Sequence, residues 1–388
     1  MLPRRIVIFS NEMQPLGGVG KFCSVMLNGL AQRGYEVCWI GLTPALDPTR
    51  YELPSSAKLV TVYEEAPEHY TPSRAELRHL KSKNKEKNLD ARKAAKRILR
   101  DRAIQKLSSL ISTFDQDTVI LVTQVFCMEH LLEAGLEWGL PNQARVIAQY
   151  HDSFESAKES SNLRRIRNSY IEADAFLLLS EVDAMEFEDA GMPNTGYIYN
   201  PVLPVDYQVQ EKEQLVVSLG RYHQQKGLDQ LIEAWSLLVA DFPGWVLKLY
   251  GEGPLRGDLQ AQIESRGLTS TVSLAGHVAD IGSVLRSASI NVMTSRHEGL
   301  PLVIPEAAQY EVPTIAYDCA PGMSVLIDDG RTGTLVPQDD VVEFAQVLRS
   351  YMSNETETRR RGREARDFAR RFELSSILDE WQQIFESL

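Results

Sequence analysis

Short apolar runs, each followed by a segment of helical length, recur along this chain and then begin again past its midpoint; no other feature restricts the fold as much. Residues 5–10 read as a first strand, Gly17-Gly18-Val19-Gly20 as the loop after it, and the next stretch as a helix to about Arg33, stopped by Gly34. A second strand follows at 35–41, with further buried strands at 118–122, 145–149 and 175–179. The pattern restarts at 214–219 and continues at 245–250, 271–274, 290–293 and 314–316. Alternating strands and helices of this kind predict parallel βαβ winding, whose strands are buried on both faces and so lack polar alternation. The restart lies just beyond Tyr199-Asn200-Pro201-Val202-Leu203-Pro204, whose two prolines interrupt regular structure. The expected organisation is α/β: one Rossmann-like domain over 1–200, a second over 201–373, and a cleft between them toward which the carboxyl ends of the strands point.

With 388 residues the chain has the length for two such cores, and a hydrophobic fraction of 43% suits a globular protein. The formal charge of −12 argues against a nucleic-acid partner, because a phosphate backbone would be repelled. Residues 74–106 run against that balance, with thirteen Lys or Arg against four acids. Ala91, Ala94, Ala95, Ile98 and Leu107 fall near helical spacing there, whereas 81–88 contains no apolar residue. Two readings stand: a solvated helical excursion, or a docking surface for anionic lipid or polymer. Cys23, Cys38, Cys127 and Cys319 are sparse and unclustered, as in a reducing cytosol. The apolar run that begins at Ile6 is too short for a signal core or a membrane span, so a cytoplasmic protein, at most peripheral to a membrane, is expected.

The densest chemistry lies in Ser295-Arg296-His297-Glu298-Gly299-Leu300-Pro301-Leu302-Val303-Ile304-Pro305-Glu306-Ala307. Glu298 is expected in a loop and Glu306 about two turns along the following helix, so that two carboxylates flank free amides suited to a diphosphate. Gly220-Arg221-Tyr222-His223-Gln224-Gln225-Lys226-Gly227 follows the first strand of the second domain and carries two cations able to neutralise a leaving diphosphate. Gly251-Glu252-Gly253-Pro254 would let a backbone approach closely, but Arg256 breaks the dinucleotide spacing; Pro15 and Phe22 likewise break the P-loop pattern around Gly18-Val19-Gly20-Lys21. His151 ends the 145–149 strand beside Asp152, a His-Asp pair at a strand's carboxyl end. No His, Cys or acid cluster has metal-ligand spacing, and no G-x-S-x-G elbow is present.

Together these segments resemble the retaining nucleotide-sugar transferases of glycosyltransferase family 4. The resemblance spans nearly the whole chain, is most specific over 214–337, and implies the GT-B fold, two Rossmann-like domains facing each other across a cleft. By that resemblance Arg221 and Lys226 bind the donor phosphates and Glu306 the ribose hydroxyls. Glu298 lies by the donor sugar, with Gly299, Leu300, Pro301 and Leu302 near its hydroxyls and the diphosphate. Gly276-His277-Val278 resembles the nucleobase-contacting strand end, with Val278 in the donor site. His151 resembles the histidine near the reaction centre, and Gly17 and Gly18 the glycine loop beneath the diphosphate. The tail 374–388 matches a helix that packs back on the first domain. No metal or other cofactor is implied; the donor, probed best with UDP-linked hexoses or N-acetylhexosamines, is a substrate. Tyr317-Asp318-Cys319-Ala320-Pro321-Gly322 and Ile327-Asp328-Asp329-Gly330-Arg331-Thr332-Gly333 resemble the subgroup acting on cell-envelope polymers, teichoic-acid-like polymers or lipid-linked saccharides. A nucleotide-sugar-binding protein without transfer activity, or a GT-B enzyme of another reaction type, are the alternatives.

Overall fold

A computed structural model of the protein describes residues 2–15, 17–65, 70–78, 91–140 and 142–388. The described residues form two compact units, Met1–Ile198 with Leu378–Leu388, and Tyr199–Ile377.

In the first unit seven strands are described: β1 (Arg5–Glu12), β2 (Glu36–Thr43), β3 (Lys58–Thr61), β4 (Thr118–Val122), β5 (Arg145–Gln149), β6 (Ala175–Leu178) and β7 (Thr195–Tyr197). They pair in the order β3-β2-β1-β4-β5-β6-β7, every pair parallel. One face of the sheet packs Val7, Phe9, Ile120, Val122, Val146, Ala148 and Tyr150 against Phe176, Phe187 and Met128. The helix Gly18–Gln32 lies on the other face. It begins one residue after Gly17, so Gly18 belongs to its first turn and not to the preceding loop as expected. Gly20 explains why: a Cβ there would meet the Pro15 carbonyl at 1.8 Å, so the chain enters the helix in backbone contact with the segment before it. The helix Leu374–Ser387 also serves this unit. Trp381 is fully buried, Asp379 pairs with Arg33 at 2.6 Å, and Phe385 meets Tyr35 edge-on at 5.9 Å.

The second unit has six described strands: β8 (Leu215–Leu219), β9 (Val246–Tyr250), β10 (Val272–Gly276), β11 (Ile290–Met293), β12 (Thr314–Asp318) and β13 (Gly333–Pro337). Their order is β10-β9-β8-β11-β12-β13, again all parallel. Its core holds Trp235, Tyr222, Tyr317 and Phe344, all fully buried. The two-proline segment is not a free linker. The Val202 amide donates to the Phe372 carbonyl at 2.8 Å and the Leu374 amide to the Val202 carbonyl at 3.0 Å, while the Arg371 guanidinium lies 5.1–5.3 Å from the rings of Tyr199, Phe368 and Phe372.

Three strands escape the apolar-run reading. β3 and β7 are edge strands whose residues are mostly half-buried or exposed, and β13 opens on Gly333 and closes on Pro337. Residues 79–90 of the basic 74–106 stretch lie outside the described residues, the apolar-free 81–88 among them. From Ala91 onward the stretch belongs to the helix Ala91–Ile111, which buries Ala94, Ala95, Ile98, Ala103 and Leu107, so it is packed along one side. Among the described residues no helix is long and apolar enough to cross a membrane.

Because Trp381 is a large side chain without exposed surface, Trp381→Ala should cost about 3–5 kcal/mol in chemical denaturation. A loss below about 1 kcal/mol would show that the closing helix adds nothing to the core it covers.

Candidate active site

β8 and β11 are neighbours at the point where the strand order of the second sheet reverses, the place in such sheets where ligands bind at the carboxyl ends of the strands. The loop after β8 carries Arg221 and Lys226, and the loop after β11 carries Glu298. The two are bound to each other along their length. Thr294 Oγ1 donates to the Gly227 carbonyl at 2.9 Å, and the Arg296 amide to the Gln225 carbonyl at 2.7 Å. Gln225 Nε2 reaches the His297 carbonyl at 2.9 Å. The Arg296 guanidinium donates to the Gln224 carbonyl at 2.6 Å and forks onto both Asp229 oxygens at 3.1 and 2.8 Å. At the mouth, Lys226 Nζ meets Glu298 Oε1 at 2.5 Å, with the carboxylate side chain 9% exposed and the lysine 20%.

This joint depends on Gly227. Its φ of +59° is left-handed, and a Cβ there would stand 1.9 Å from the Thr294 carbonyl oxygen. The other glycines of the motifs also serve backbone contact. A Cβ on Gly251 would meet the Gly220 carbonyl at 1.9 Å, and one on Gly253 the Tyr222 carbonyl at 2.4 Å. The G-x-G turn after β9 is therefore packed against the β8 loop. Tyr222, buried beneath, donates its hydroxyl to the Leu249 carbonyl at 2.7 Å and accepts from the Gly276 amide at 3.2 Å. That ties the end of β10, next to His277 and Val278, to the same loop; Val278 itself packs half-buried against the core around Tyr207 and Leu215. On the other side, a Cβ on Gly322 would meet the Gly299 carbonyl at 2.4 Å, which accounts for the glycine after Pro321.

Arg221 is exposed, and among the described residues its guanidinium meets no carboxylate. Glu306 is nearly buried and stands in the first turn of the seven-residue helix Val303–Gln309, not two turns along a longer one. Residues 299–302 are consumed by the turn, and Pro305 is tolerated because a first-turn amide needs no helical acceptor. The amides of Gly299, Leu300 and Leu302 donate to no backbone carbonyl among the described residues, and Pro301 has none to donate. Thus Arg221, Lys226, Glu298 and three amides without a backbone acceptor lie on the loops after β8 and β11, with Glu306 in the short helix that follows the second loop.

In the first unit, Gly17 (φ +107°) and Gly18 have nothing within 4 Å of where a Cβ would lie. His151 follows β5 and stacks on Phe22 of the Gly18–Gln32 helix, ring centroids 4.8 Å apart. Both ring nitrogens are buried and, among the described residues, have no hydrogen-bond partner; burial lowers the pKa to about 4. The expected His-Asp pair does not form. Asp152 instead accepts from the Ser153 amide at 2.9 Å and from the Ser156 hydroxyl at 2.8 Å, fixing the start of the next helix. Among the described residues no group of three or more His, Cys, Asp or Glu side chains could hold a metal ion.

The Arg296–Asp229 fork, Thr294 and Gln225 went unnoticed as site-forming residues. Asp229 and Arg296 are 67 positions apart, and only the strand order brings them together.

Comparison with known proteins completes the picture. Residues 201–368 match the family model of glycosyl transferases, group 1. The matched segment lies wholly within the second unit. An uncharacterized glycosyltransferase of Haemophilus influenzae is 25% identical over 286 residues, covering 72% of this chain and 79% of that one. The poly(ribitol-phosphate) alpha-N-acetylglucosaminyltransferase of Staphylococcus aureus is 28% identical over 178 residues, 46% of this chain and 36% of that protein. The chain therefore matches about a third of that relative's length. Among solved structures, S. aureus TarM, in a complex that includes alpha-GlcNAc-glycerol and UDP, superposes with a TM-score of 0.80 at 15% identity, over 98% of this chain and 99% of that one. The fold is GT-B.

Two outcomes follow from this geometry. Gly227→Ala should cost at least about 2 kcal/mol, from left-handed strain plus the clash with Thr294, whereas Gly18→Ala, in open space within a helix, should be neutral or stabilise by up to about 1 kcal/mol. Paired denaturation curves read both. The buried neutral imidazoles of His151 and His130, whose pKa values burial lowers, contribute stability that is complete above the unfolded histidine value of about 6.5. For His151 this is lost as pH falls toward about 4. The urea midpoint should therefore drop across that window, and drop less in His151→Phe.

Proposed function

We propose that the protein is a retaining, metal-independent hexosyltransferase that moves a hexose or N-acetylhexosamine from a UDP-sugar to a cell-envelope glycan, teichoic-acid-like polymer or lipid-linked acceptor. The observation that carries this reading is the Lys226–Glu298 contact at the reversal point of the second sheet, with Arg221 and Glu306 on the same loops. Arg221 and Lys226 offset the charge that grows on the departing diphosphate, the task a divalent cation performs elsewhere. Lys226 is held by Glu298 before any donor arrives, so its ammonium pays little reorganisation when a phosphate approaches. Glu298 then hydrogen-bonds the transferred sugar and stabilises positive charge developing at its anomeric carbon. Glu306 takes the ribose hydroxyls, and the free amides of Gly299, Leu300 and Leu302 meet the diphosphate and sugar oxygens.

In the transfer step the bond from the anomeric carbon to the phosphate oxygen breaks, and a bond to the acceptor oxygen forms on the same face. The acceptor's proton passes to the departing phosphate. His151, neutral at pH 7, hydrogen-bonds a sugar hydroxyl without adding charge, and Gly17 and Gly18 leave room for the donor backbone. Support for the acceptor class comes from the activity of the S. aureus relative, and for uridine diphosphate from the UDP in the TarM complex. Peripheral contact with anionic lipid through 74–106 belongs to the same proposal; sedimentation with anionic liposomes should carry the protein down, and should cease when the lysines of 81–87 are neutralised.

A donor screen that measures nucleotide release should show turnover with a UDP-sugar, unchanged by chelator, and a product of the donor's anomeric configuration. Glu298→Gln should lower kcat by about 100-fold with a smaller change in donor KM. An inverted product, or a strict metal requirement, overturns the mechanism.

A further inference from the structure

His151 lacks the carboxylate partner that the sequence places beside it, which leaves open what holds its ring. Strand alternation points to a neighbour. Val146, Ala148 and Tyr150 belong to the core on one face of β5, so Ile147, Gln149 and His151 project to the other, where Phe22 packs on the histidine. Gln149 has no exposed surface, and among the described residues neither its Oε1 nor its Nε2 has a hydrogen-bond partner. The same holds for both nitrogens of His151. Four unpaired polar atoms are therefore concentrated on two side chains, two positions apart on one face, and interiors do not keep such groups unpaired.

Adjacent polar groups are already committed. Trp39 Nε1 donates to Ser10 Oγ at 2.8 Å, and Asp152 serves its own helix. Thr123, one step past the Val122–Ala148 pairing and so beside Gln149, donates its hydroxyl to the Phe9 carbonyl at 3.0 Å and keeps only acceptor capacity. The Cα atoms of residues two apart on an extended chain are separated by about 6.6 Å; Gln149 and His151 make no direct hydrogen bond, and one water can bridge side chains so placed. A buried water needs two to four polar partners, and Gln149, Thr123 and His151 supply three.

We propose that Gln149 is a positioning residue that, with Thr123, holds one buried water against His151 and so fixes the tautomer of its ring. Thr123 can only accept, so the water gives it one proton, and in the arrangement proposed the Gln149 carbonyl oxygen accepts the other. The water then accepts from a ring N–H. The second ring nitrogen is left as an acceptor, able to take a hydrogen bond from a substrate hydroxyl. The catalytic consequence rests on the glycosyl-transfer reading; the state of the ring does not.

The test is nitrogen NMR of the histidine-labelled full chain, for wild type, Gln149→Leu and Thr123→Val, with donor turnover measured alongside. The wild type should show a single dominant His151 tautomer. Both variants should show a mixture, and Gln149→Leu should lower kcat about 10-fold while donor KM changes less than about twofold. An unchanged tautomer in either folded variant overturns the water-mediated link, and a changed tautomer with unchanged kcat overturns its role in turnover. Failure of the transferase reading would appear separately, as a wild type that turns over no donor while the ring still responds to both substitutions.

Discussion

Everything proposed for the second unit depends on the joint between the loops after β8 and β11. Two neighbouring parallel strands whose connections depart in opposite directions leave their end loops free to separate. Here they cannot, because Thr294, Gln225, Arg296 and Lys226 bridge them with hydrogen bonds that are mostly charged or directed at backbone carbonyls. The Arg296–Asp229 fork adds a planar two-point contact, which sets direction as well as distance. The outermost bridge, Lys226 to Glu298, is the one that a donor would contact. Its carboxylate is nearly buried, so neither charge is left uncompensated while the site is empty of substrate.

Glycine makes this joint possible. At Gly227, Gly251, Gly253 and Gly322 a side chain would run into a carbonyl of the adjacent loop, at 1.9 to 2.4 Å. Four loops are thereby stacked backbone on backbone around the crevice, and polar side chains from each reach it without long flexible spans. Gly17 and Gly18 differ in kind. Open space surrounds them, which is what a surface reserved for a ligand requires, whereas Gly20 beside them is spent on contact with Pro15.

The first unit treats its polar residues differently. Where the second unit pairs charge with charge, β5 ends in a buried neutral glutamine, and two residues on stands a half-buried histidine, its pKa lowered by burial, packed against Phe22.

Much of this was legible in the chain itself. The strand runs at 118–122, 145–149 and 290–293 coincide with the observed strands, because doubly buried parallel strands must be continuously apolar. Arg221, Lys226 and Glu298 could be singled out since charged residues beside glycines just past strand ends have few structural reasons to be there, and Glu306 by its spacing from Glu298. Edge strands β3, β7 and β13 could not, for half-exposed strands carry no apolar signature. Nor could the sequence tell which charges pair. Asp152 lies next to His151 in the chain yet turns to cap a helix, while Lys226 finds Glu298 across 72 residues. Local composition determines which segments become strands and helices. Which side chains meet is decided by strand order and by backbone approach at particular glycines, and those exist only once the sheet has formed.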